Sequence, residues 1–399
     1  MTLEAKELNT ERLLLNFGPS HPATHGTLRI IMELDGERIT GATPEIGFLH
    51  SGFEKIGEHL DYNQFVTITD RMNYVSPMCN NVAFTLAAEK LLDIEVPKRA
   101  AYIRVLMCEL SRIADHLLCL GMQAVDIGAF TVFLYGFRMR EKIYDLFEMA
   151  CGSRLTTSYT RAGGLMRDLP DEFVERAGTL LGEIPGALHE IDGLLSHNRI
   201  WVDRTHDVGV ISFDQAISYG LSGPVARASG VDYDIRTREP YSSYQDFDFD
   251  VIIGKSGDVY DRYMVRLYEM WESLKICRQV LEKLPGGPVN IDADSRFVLP
   301  PRDEIFDSIE GLIYHFEVTM ENRGLVPPVG EAYVPTESPN GELGYFIVSD
   351  GNREPYRVRT RTPSLINYSV FPEIMPGAPI SDAVAVLSSL NIIAGELDR

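Results

Sequence analysis

Basic residues are scarce in this sequence: 37 Lys and Arg stand against 58 Asp and Glu, and the formal net charge of the 399 residues is −21. General binding to nucleic acid needs a basic face, and spontaneous docking on an anionic lipid surface needs one as well. The charge therefore argues against both functions. A glycine-rich phosphate loop of recognised form and the GxSxG motif are also absent.

Cysteine is scarce too, and no two cysteines lie within four positions of each other, so the sequence contains no CxxC pair. This spacing argues against a zinc or iron–sulfur site held by the chain alone. The odd number and the wide spacing indicate reduced thiols in a cytoplasmic setting. The five cysteines are Cys79, Cys108, Cys119, Cys151 and Cys277.

Long apolar runs are almost missing. The segment from Met1 to Arg12 is polar and charged and lacks the apolar core of a signal peptide. Only residues 117–137, which contain the single charge of Asp126, approach the length of a membrane span. Glycines and a glutamine interrupt this stretch, and the residues before it form an ordinary amphipathic pattern. We therefore favour two helices buried in a protein core, with a membrane span as the alternative.

The patterns that are present predict regular secondary structure along most of the chain. Strand-like residues 27–34 and 37–46 flank Asp35-Gly36, a typical two-residue hairpin turn. Apolar residues in 100–128 recur at intervals of three and four, which indicates one long helix packed in a bundle. Further helices are predicted over residues 80–92, 130–150, 171–197, 258–284 and 302–322, and further strands over 345–348 and 356–361.

Together these elements predict an α+β fold, with a central bundle of long helices between an N-terminal β region and a C-terminal mixed α/β region. The predicted domain boundaries are 1–75, 76–290 and 291–399. Residues 208–257 are rich in Gly, Ser, Tyr and Asp and are expected to be irregular. Residues 285–301 contain a Pro-Gly-Gly-Pro run and a Pro-Pro pair, which is typical of a linker.

The nonapeptide GPSHPATHG at residues 18–26 places two histidines four positions apart. Its prolines and glycines disfavour a helix, so His21 and His25 are not metal ligands on one helix face. A stiff loop at the edge of a strand can present an imidazole to a ligand as a proton donor. The alternative is a structural histidine that hydrogen-bonds to the backbone.

Asp126 lies in an apolar run near the C-terminal end of the longest predicted helix. A carboxylate there opposes the helix dipole, and burial adds a desolvation cost. Such an acid usually has a partner, and the candidates are a histidine, an arginine or a bound cation. It either orients and charges a histidine or is a partly exposed acid where two helices meet.

Two further segments contain residues that could bind a ligand. In DRMNYVSP, residues 70–77, the phenol of Tyr74 could donate to a carbonyl oxygen, although a tyrosine here is more often an interface residue. In PYRVRTRTP, residues 355–363, Arg357, Arg359 and Arg361 alternate on one face of a predicted strand. This cationic ridge either pairs with carboxylates of the chain or binds an anionic ligand or partner.

Taken in order along the chain, these segments resemble one family closely, the 49-kDa (D-type) subunit of respiratory complex I, the proton-pumping NADH:quinone oxidoreductase. The resemblance extends from about residue 10 to Arg399. The segments that carry it are GPSHPATHG, FLHSGFEK (48–55), DRMNYVSP, RASGVDYDIR (227–236), PTESPNGELGYFIVSDG (335–351) and PYRVRTRTPS (355–364).

The resemblance implies a peripheral subunit on the cytoplasmic side of the cell inner membrane. Such a subunit packs against a B-type (20-kDa) subunit that holds the terminal 4Fe–4S cluster, against a C-type (30-kDa) subunit, and against the membrane-arm subunit at the quinone entrance. The quinone, ubiquinone or menaquinone, binds between this subunit and the cluster-bearing one. The chain itself is expected to bind no metal and no nucleic acid, and to be inactive when isolated.

By the same resemblance, His25 and Tyr74 are the ligands of the quinone headgroup, Arg71 and Met72 lie nearby, and Asp126 is the partner of the histidine. A phenol and an imidazolium bonded to the two quinone oxygens could stabilise the reduced anion and supply protons. Contact with Asp126 is expected to raise the pKa of His25. The change of charge at this pair is a plausible trigger for proton translocation.

Two rival hypotheses remain. The fold is shared with the large subunits of nickel–iron hydrogenases, which hold their metals with two CxxC pairs. The corresponding positions here are residues 71–76 and 391–396, and they contain no cysteine. A non-catalytic scaffold is the second rival, and it predicts that changing His25 or Tyr74 leaves quinone reduction intact.

One position departs from the family. Many members have a histidine in the segment written here GSRLTT, residues 152–157, near the terminal cluster, where it couples the cluster's potential to pH. In this sequence Arg154 matches the arginine of that segment, and Thr156 stands at the position where the histidine is expected. We therefore expect a cluster potential that is lower and less dependent on pH, which suits a low-potential quinone such as menaquinone.

Overall fold

The computed structural model describes residues 12–291, 298–320 and 325–399, and these residues form an α+β fold as predicted. The strands are β1 (Arg12–Phe17), β2 (Arg29–Asp35), β3 (Arg38–Glu45), β4 (Thr160–Arg161), β5 (Gly164–Leu165), β6 (Gly330–Ser338), β7 (Gly341–Ser349) and β8 (Arg357–Arg361). The helices are α1 (Phe53–Ile56), α2 (Tyr62–Met72), α3 (Pro77–Leu92), α4 (Lys98–Ile127), α5 (Phe130–Cys151), α6 (Phe173–Leu195), α7 (Arg199–Thr205), α8 (Phe213–Ser218), α9 (Gly223–Ala228), α10 (Ile235–Arg238), α11 (Val259–Lys283), α12 (Arg302–Asp307), α13 (Ile309–Thr319), α14 (Pro363–Tyr368), α15 (Phe371–Ile374), α16 (Ile380–Leu390) and α17 (Ala394–Asp398).

The N-terminal sheet is antiparallel in the order β1-β2-β3. Its predicted hairpin is confirmed, because Asp35 pairs with Arg38 and Gly36 takes the positive φ of +62° that the turn requires. On β2 the alternate side chains Ile30, Met32 and Leu34 are buried, as the period of two predicts. The sheet therefore presents one apolar face to the rest of the molecule.

The central bundle consists of α4, α5, α6 and α11, whose facing side chains form the largest apolar core. The predicted stripe on α4 is confirmed, since Ile103, Leu106, Leu110 and Ile113 are all fully buried. Residues 117–137 belong to two helices, and α4 ends at Gly128, where φ is +101°. Across the described ranges, no helix has the length and apolarity needed to cross a membrane.

An ionic cluster lies inside this bundle and ties it to the segments around it. The Arg227 guanidinium of α9 lies 2.7 Å from Glu269 of α11 and 2.7 Å from Glu337 of β6. Arg236 lies 2.6 Å from Asp234 and 3.2 Å from Glu109 of α4. All members are buried. The ionic cluster comprises Glu109, Arg112, Arg227, Asp234, Arg236, Glu269 and Glu337.

This cluster also explains two differences from the predicted elements. Residues 208–257, expected to be irregular, contain the short helices α8, α9 and α10, and the charges on α9 and α10 fasten them to the bundle. Strand β6 was not predicted, because its last residues Thr336, Glu337 and Ser338 are polar yet buried and so break the apolar alternation. The β6 strand completes an antiparallel sheet in the order β6-β7-β8.

Other predictions on the C-terminal half hold in part. The predicted strands 345–348 and 356–361 are parts of β7 and β8. The predicted helix 302–322 is divided at Ser308, whose hydroxyl caps α13 by accepting from the Gly311 N–H at 2.9 Å. Its last two residues, the linker residues 292–297 and the charged N-terminal residues 1–11 lie outside the described part of the chain.

The ridge of arginines on β8 pairs with carboxylates of the chain, which was one of the two alternatives. Arg357 lies 2.9 Å from Glu58, Arg359 lies 4.0 Å from Glu54, and Arg361 lies 3.4 Å from Glu342. Because Glu54 belongs to α1 and Glu58 follows it closely, the ridge holds this short helix against the sheet.

The apolar cores cross the boundaries predicted at 75/76 and 290/291. A second core joins side chains of β2 and β3 with Ile211 and Val259 from the middle of the chain and with Val386 and Leu390 of α16. A third joins α2 and α3 to the C-terminal sheet. The three predicted domains stay a prediction, and the N- and C-terminal regions meet at the place where the candidate site lies.

Candidate functional site

A cleft of about 110 Å³ lies where the histidine loop, the turn after α2, the end of α4 and the C-terminal helices meet. His25, Tyr74 and Asp126 all line it, so the structure brings together the three residues singled out in the sequence. The remaining wall is mostly apolar. Its lining residues are Ala23, Thr24, Thr27, Leu28, Val75, Leu118, Cys119, Met122, Leu387, Ser388, Asn391, Ile392, Ile393, Ala394 and Leu397.

The histidine loop is held by a single turn of 3-10 helix at residues 22–24. The Thr24 hydroxyl donates to the carbonyl of His21 at 2.8 Å and is buried. Gly18 has φ of +83°, and a Cβ there would lie 2.3 Å from the carbonyl oxygen of Leu28. A side chain at position 18 would therefore displace the loop from the strand that carries it.

The two histidines of the loop have different surroundings. His21 packs on Phe17, with ring centroids 4.2 Å apart, and its Nδ1 accepts from the backbone N–H of Ala23 at 3.2 Å. This is the structural role that we gave as the alternative. His25 adopts a left-handed backbone with φ of 53°, and its ring makes no hydrogen bond within the described residues. His25 is therefore the histidine that is free to bind a ligand.

Tyr74 lies on the turn between α2 and α3. The side chain of Asn73 shapes that turn, because its Oδ1 accepts from the backbone N–H groups of Val75 and Ser76, each at 3.1 Å. Tyr74 is 36% exposed, and its phenol faces the cleft without a protein partner in the described ranges. Partial burial raises the pKa of Tyr74, and the charge of Glu396 raises it further, so the phenol keeps its proton at neutral pH.

Asp126 occupies the last turn of α4 and is half-buried. Of the predicted partners, neither a histidine nor an arginine contacts it in the described residues. Burial without a partner raises the pKa of Asp126 to about 6. Asp126 is thus a partly exposed acid at the meeting of two helices, and it titrates close to neutral pH.

The predicted contact between His25 and Asp126 is not present. Both side chains line the cleft, but no hydrogen bond or ion pair joins these two residues. The expectation of a raised histidine pKa is also wrong for this structure, because burial lowers the pKa of His25 and no carboxylate opposes that effect. The imidazole is therefore neutral at pH 7 and can donate one N–H.

The other predicted residues lie outside the cleft. Met72 is fully buried in the core beneath the C-terminal sheet, where its sulfur lies 3.3 Å from the Tyr345 hydroxyl. Arg71 is exposed and donates to the carbonyl of Thr67. Arg154 is exposed and lies 3.1 Å from Asp145 of α5, and Thr156 is half-buried in the loop after that helix. None of these four lines the cleft.

The C-terminal wall of the cleft was not predicted. Asn391 takes a left-handed backbone with φ of 51° at the end of α16, and α17 then lies against the turn after α2. A Cβ at Gly395 would lie 2.6 Å from the carbonyl oxygens of Arg71 and Met72, so only glycine allows this approach. The signal available in the sequence was the comparison with hydrogenases, in which we set residues 71–76 and 391–396 against the two metal-binding CxxC pairs.

One group of potential metal ligands lies elsewhere in the described residues. His206, Asp207 and Asp258 place ligand atoms within 4.8 Å of one another. Asp258 already caps α11, since its carboxylate accepts from the N–H groups of Asp261 at 2.7 Å and Asp207 at 2.9 Å. The prediction that the chain binds no metal stays a prediction.

The cleft combines apolar walls with a phenol, an imidazole and a carboxyl group whose pKa has risen to about 6. An apolar cavity of roughly 150 Å³ binds benzene, so this smaller cleft encloses about one ring, and a larger ring system extends through its open side. A ligand that fits is a flat apolar ring with hydrogen-bond acceptors at its edge. The groups around it can donate protons to such acceptors.

Known proteins similar to this chain agree with the family resemblance. The profile of the respiratory-chain NADH dehydrogenase 49 Kd subunit family matches residues 126–399. The D-type subunit of the NADH-quinone oxidoreductase of Flavobacterium psychrophilum is 51% identical over 393 residues, which cover 98% of this chain and 95% of the relative. The D-type subunit of Geotalea uraniireducens is 49% identical over 391 residues, which cover 98% of this chain and 100% of the relative. That of Methylacidiphilum infernorum is 50% identical over 389 residues, which cover 98% of this chain and 92% of the relative.

Proposed function

The chain belongs to the family of the 49-kDa subunit of respiratory-chain NADH dehydrogenase, and from that premise we propose that its cleft binds the headgroup of a quinone for reduction. The observation that carries the proposal is the convergence of His25, Tyr74 and Asp126, from three separate segments, on one small apolar cleft. As a subunit of such an oxidoreductase, the chain has other subunits of the complex as its partners.

Reduction of a quinone to the quinol consumes two electrons and two protons. In the proposal, the electrons come from a 4Fe–4S cluster held by the B-type partner subunit, and this chain supplies hydrogen bonds and protons. Tyr74 and His25 donate to the two carbonyl oxygens, where negative charge develops. Leu118, Met122 and Ile392 line the cleft, and we propose that they contact the faces of the ring.

The proton affinities of the cleft suit this role. Tyr74 stays protonated and His25 neutral at pH 7, because burial raises the pKa of the phenol and lowers that of the imidazole. Negative charge arriving on the quinone raises the proton affinity of nearby groups. Asp126, which titrates around pH 6, and the neutral imidazole of His25 can then take up protons within the range of cellular pH.

The proposal extends to the rest of the complex. Charge changes at His25 and Asp126 during turnover are the trigger for proton translocation by the membrane arm. The chain sits at the cytoplasmic side of the inner membrane, between the B-type and C-type subunits and the membrane-arm subunit at the quinone entrance. Thr156, in place of the family's histidine near the cluster, favours a low-potential quinone such as menaquinone.

The test is inhibitor-sensitive quinone reduction by membranes that carry Tyr74→Phe, with assembly checked on a native gel. Loss of one hydrogen-bond donor to a developing anion typically slows a reaction by roughly 10- to 1000-fold. We expect turnover to fall in that range or the quinone KM to rise sharply. Tyr356→Phe is the matched control, since Tyr356 is 67% exposed and does not line the cleft.

An assembled Tyr74→Phe complex with unchanged kcat and KM would contradict the proposal and would favour the scaffold hypothesis. In that case His25→Gln would be measured next in the same assay. A scaffold also predicts that the His25 variant has normal kinetics.

A further inference from the structure

A second carboxyl group lies directly behind the cleft, on helix α17. Glu396 is fully buried, and its two oxygens accept hydrogen bonds from neutral donors only: Asn73 Nδ2 at 3.0 Å and Ser364 Oγ at 2.6 Å. Within the described residues no lysine, arginine or histidine forms an ion pair with it. An isolated carboxylate in such a place would be costly, so the group favours its protonated form.

Glu396 is coupled to the cleft through its neighbours in the chain and in space. Its hydrogen-bond partner Asn73 immediately precedes Tyr74, and Ala394 and Leu397 of the same helix line the cleft. The charge of Glu396 contributes to the raised pKa of Tyr74, after the larger effect of burial. The hydrogen bond from Asn73 therefore joins Glu396 to the turn that carries Tyr74, and the charge of the acid acts on the phenol.

Asp115 is another buried acid, and its charge acts on Glu396. Asp115 of α4 is fully buried, and its Oδ1 accepts from Asn391 Nδ2 at 2.7 Å, while its Oδ2 has no hydrogen-bond partner in the described part of the chain. The pKa of Glu396 is raised to about 7, chiefly by burial and to a smaller extent by the charge of Asp115, while the hydrogen bonds from Ser364 and Asn73 lower it. The titratable groups that face Glu396 are Asp115 of α4, Tyr74 after α2 and Tyr345 of β7.

We propose that Glu396 holds the proton that restores Tyr74 after the phenol has protonated the quinone. The inference rests on the proposed function of the cleft. Because Glu396 acts through Tyr74 and does not touch the quinone, it is a positioning residue that also stores a proton.

Atoms and electrons balance in this step. Two electrons reach the quinone from the iron–sulfur cluster of the partner subunit, and the O–H bond of Tyr74 breaks as an O–H bond forms on one quinone oxygen, which gives the quinol monoanion. The second proton, taken up from solvent by His25 and Asp126, passes to the other oxygen and completes the quinol. The O–H bond of the Glu396 carboxyl group then breaks, and the phenol of Tyr74 is re-formed. Glu396 is left as a carboxylate that accepts hydrogen bonds from Asn73 and Ser364, and it regains a proton from solvent before the next turnover.

The inference is tested by the pH dependence of kcat for quinone reduction by the intact complex. An acid can supply a proton only below its pKa, so kcat of the unchanged complex is expected to fall as the pH rises through about 7. Glu396→Gln removes the acid: we expect kcat at pH 6.5 to fall by about tenfold or more, the alkaline decline to disappear and the quinone KM to stay unchanged.

Ser364→Ala is the second variant, and it provides the test if Glu396→Gln does not assemble. It keeps the carboxyl group but removes a hydrogen bond that lowers its pKa. The alkaline decline should therefore move up by roughly half a unit to one pH unit. Glu373→Gln, which changes an exposed acid of α15, is the control and should leave the profile in place.

The outcomes separate this inference from the proposed function. If Tyr74→Phe leaves turnover intact, the proposed function and the inference fail together. If Tyr74→Phe abolishes turnover while Ser364→Ala and any assembled Glu396→Gln complex keep the normal kcat and the normal alkaline decline, the inference alone is overturned.

Discussion

The cleft and the ionic cluster hold ionisable groups in opposite ways. In the ionic cluster every carboxylate lies against a guanidinium group, as Glu269 and Glu337 do against Arg227, each at 2.7 Å. In the cleft, His25 and Asp126 have no such partner in the described residues although they line the same small space. Helix α4 contributes residues to both regions, so one element carries both kinds of group.

The difference decides which groups can change their charge. Burial alone would raise the pKa of Glu269, but the charge of Arg227 and a hydrogen bond from His116 hold it well below its usual range, so it stays ionised. Asp126 lacks a partner among the described residues, and its pKa rises to about 6. The paired carboxylate of Glu269 therefore keeps its charge at any cellular pH, whereas the unpaired Asp126 is available for proton chemistry. Pairing does not have this effect on every member of the cluster, since burial raises the pKa of Glu337 despite the charge of Arg227.

The largest expected effect comes from unpairing the ionic cluster. Arg227→Ala would leave Glu269 and Glu337 buried without their guanidinium partner, a change that typically costs about 3–5 kcal/mol. We expect little or no assembled complex in membranes. The amount of complex is measured on a native gel and compared with the amount of an unchanged membrane subunit.

Arg359→Ala is the control for this change. Its side chain is 61% exposed and its guanidinium lies 4.0 Å from Glu54, so its loss should alter the free energy of unfolding by about 0.5 kcal/mol or less. Normal assembly of the Arg227 variant would contradict the structural role given to the ionic cluster.

A smaller effect is expected from removing the unpaired acid of the cleft. Asp126→Asn eliminates a group with a pKa of about 6, so the pH profile of kcat/KM for quinone reduction should lose its change near pH 6.

A second measurement on the same variant concerns its stability. The folded pKa lies above the ordinary value of 3.8, so ionisation of Asp126 disfavours the folded state.

This destabilisation is absent below pH 3.8, grows as the pH rises to about 6 and is constant above that. The asparagine variant should therefore unfold at the same temperature as the parent near pH 4 and at an equal or higher temperature at about pH 7.5. A loss of thermal stability at the higher pH would instead mean that Asp126 has a partner in the assembled complex.

The smallest effect is expected where a titratable group is added. Thr156→His introduces the histidine that the family resemblance implies at this position, which we propose to lie near the partner's cluster. Turnover should change little, but the midpoint potential of that cluster should become dependent on pH, by up to about 59 mV per unit for one proton per electron. A redox titration followed by electron paramagnetic resonance at several pH values measures this slope. A steep slope before the substitution would contradict our interpretation of Thr156.

Much of the fold could be predicted because its signals are local. The apolar intervals of α4, the turn residues Asp35 and Gly36, and the proline-rich histidine loop each report on a few neighbouring residues. Strand β6 could not be predicted in this way. Its buried Glu337 is acceptable only because Arg227, 110 positions earlier in the chain, neutralises it.

The residues of the candidate site also differ in whether local sequence is enough to recognise them. Its three candidate ligand-binding residues were recognisable because a histidine in a stiff loop, a phenol in a turn and an acid in an apolar helix are unusual within their own segments. Glu396 was not, since its surroundings in the sequence are ordinary. Its pKa is raised by burial, which comes from packing against distant segments such as the one that contains Asn73, 323 positions away.

By itself, then, the sequence determined the family, the long helices, the first hairpin and which residues could carry proton chemistry, because periodicity, turn chemistry and residue type are local properties. Only the tertiary structure decided which of those groups are paired. It placed His25 and Asp126 in one cleft without a contact, and it joined Glu396 to Asn73, the neighbour of Tyr74. Proton affinity depends on solvent access and on charges a few ångströms away, and in this chain those neighbours come from opposite ends of the sequence.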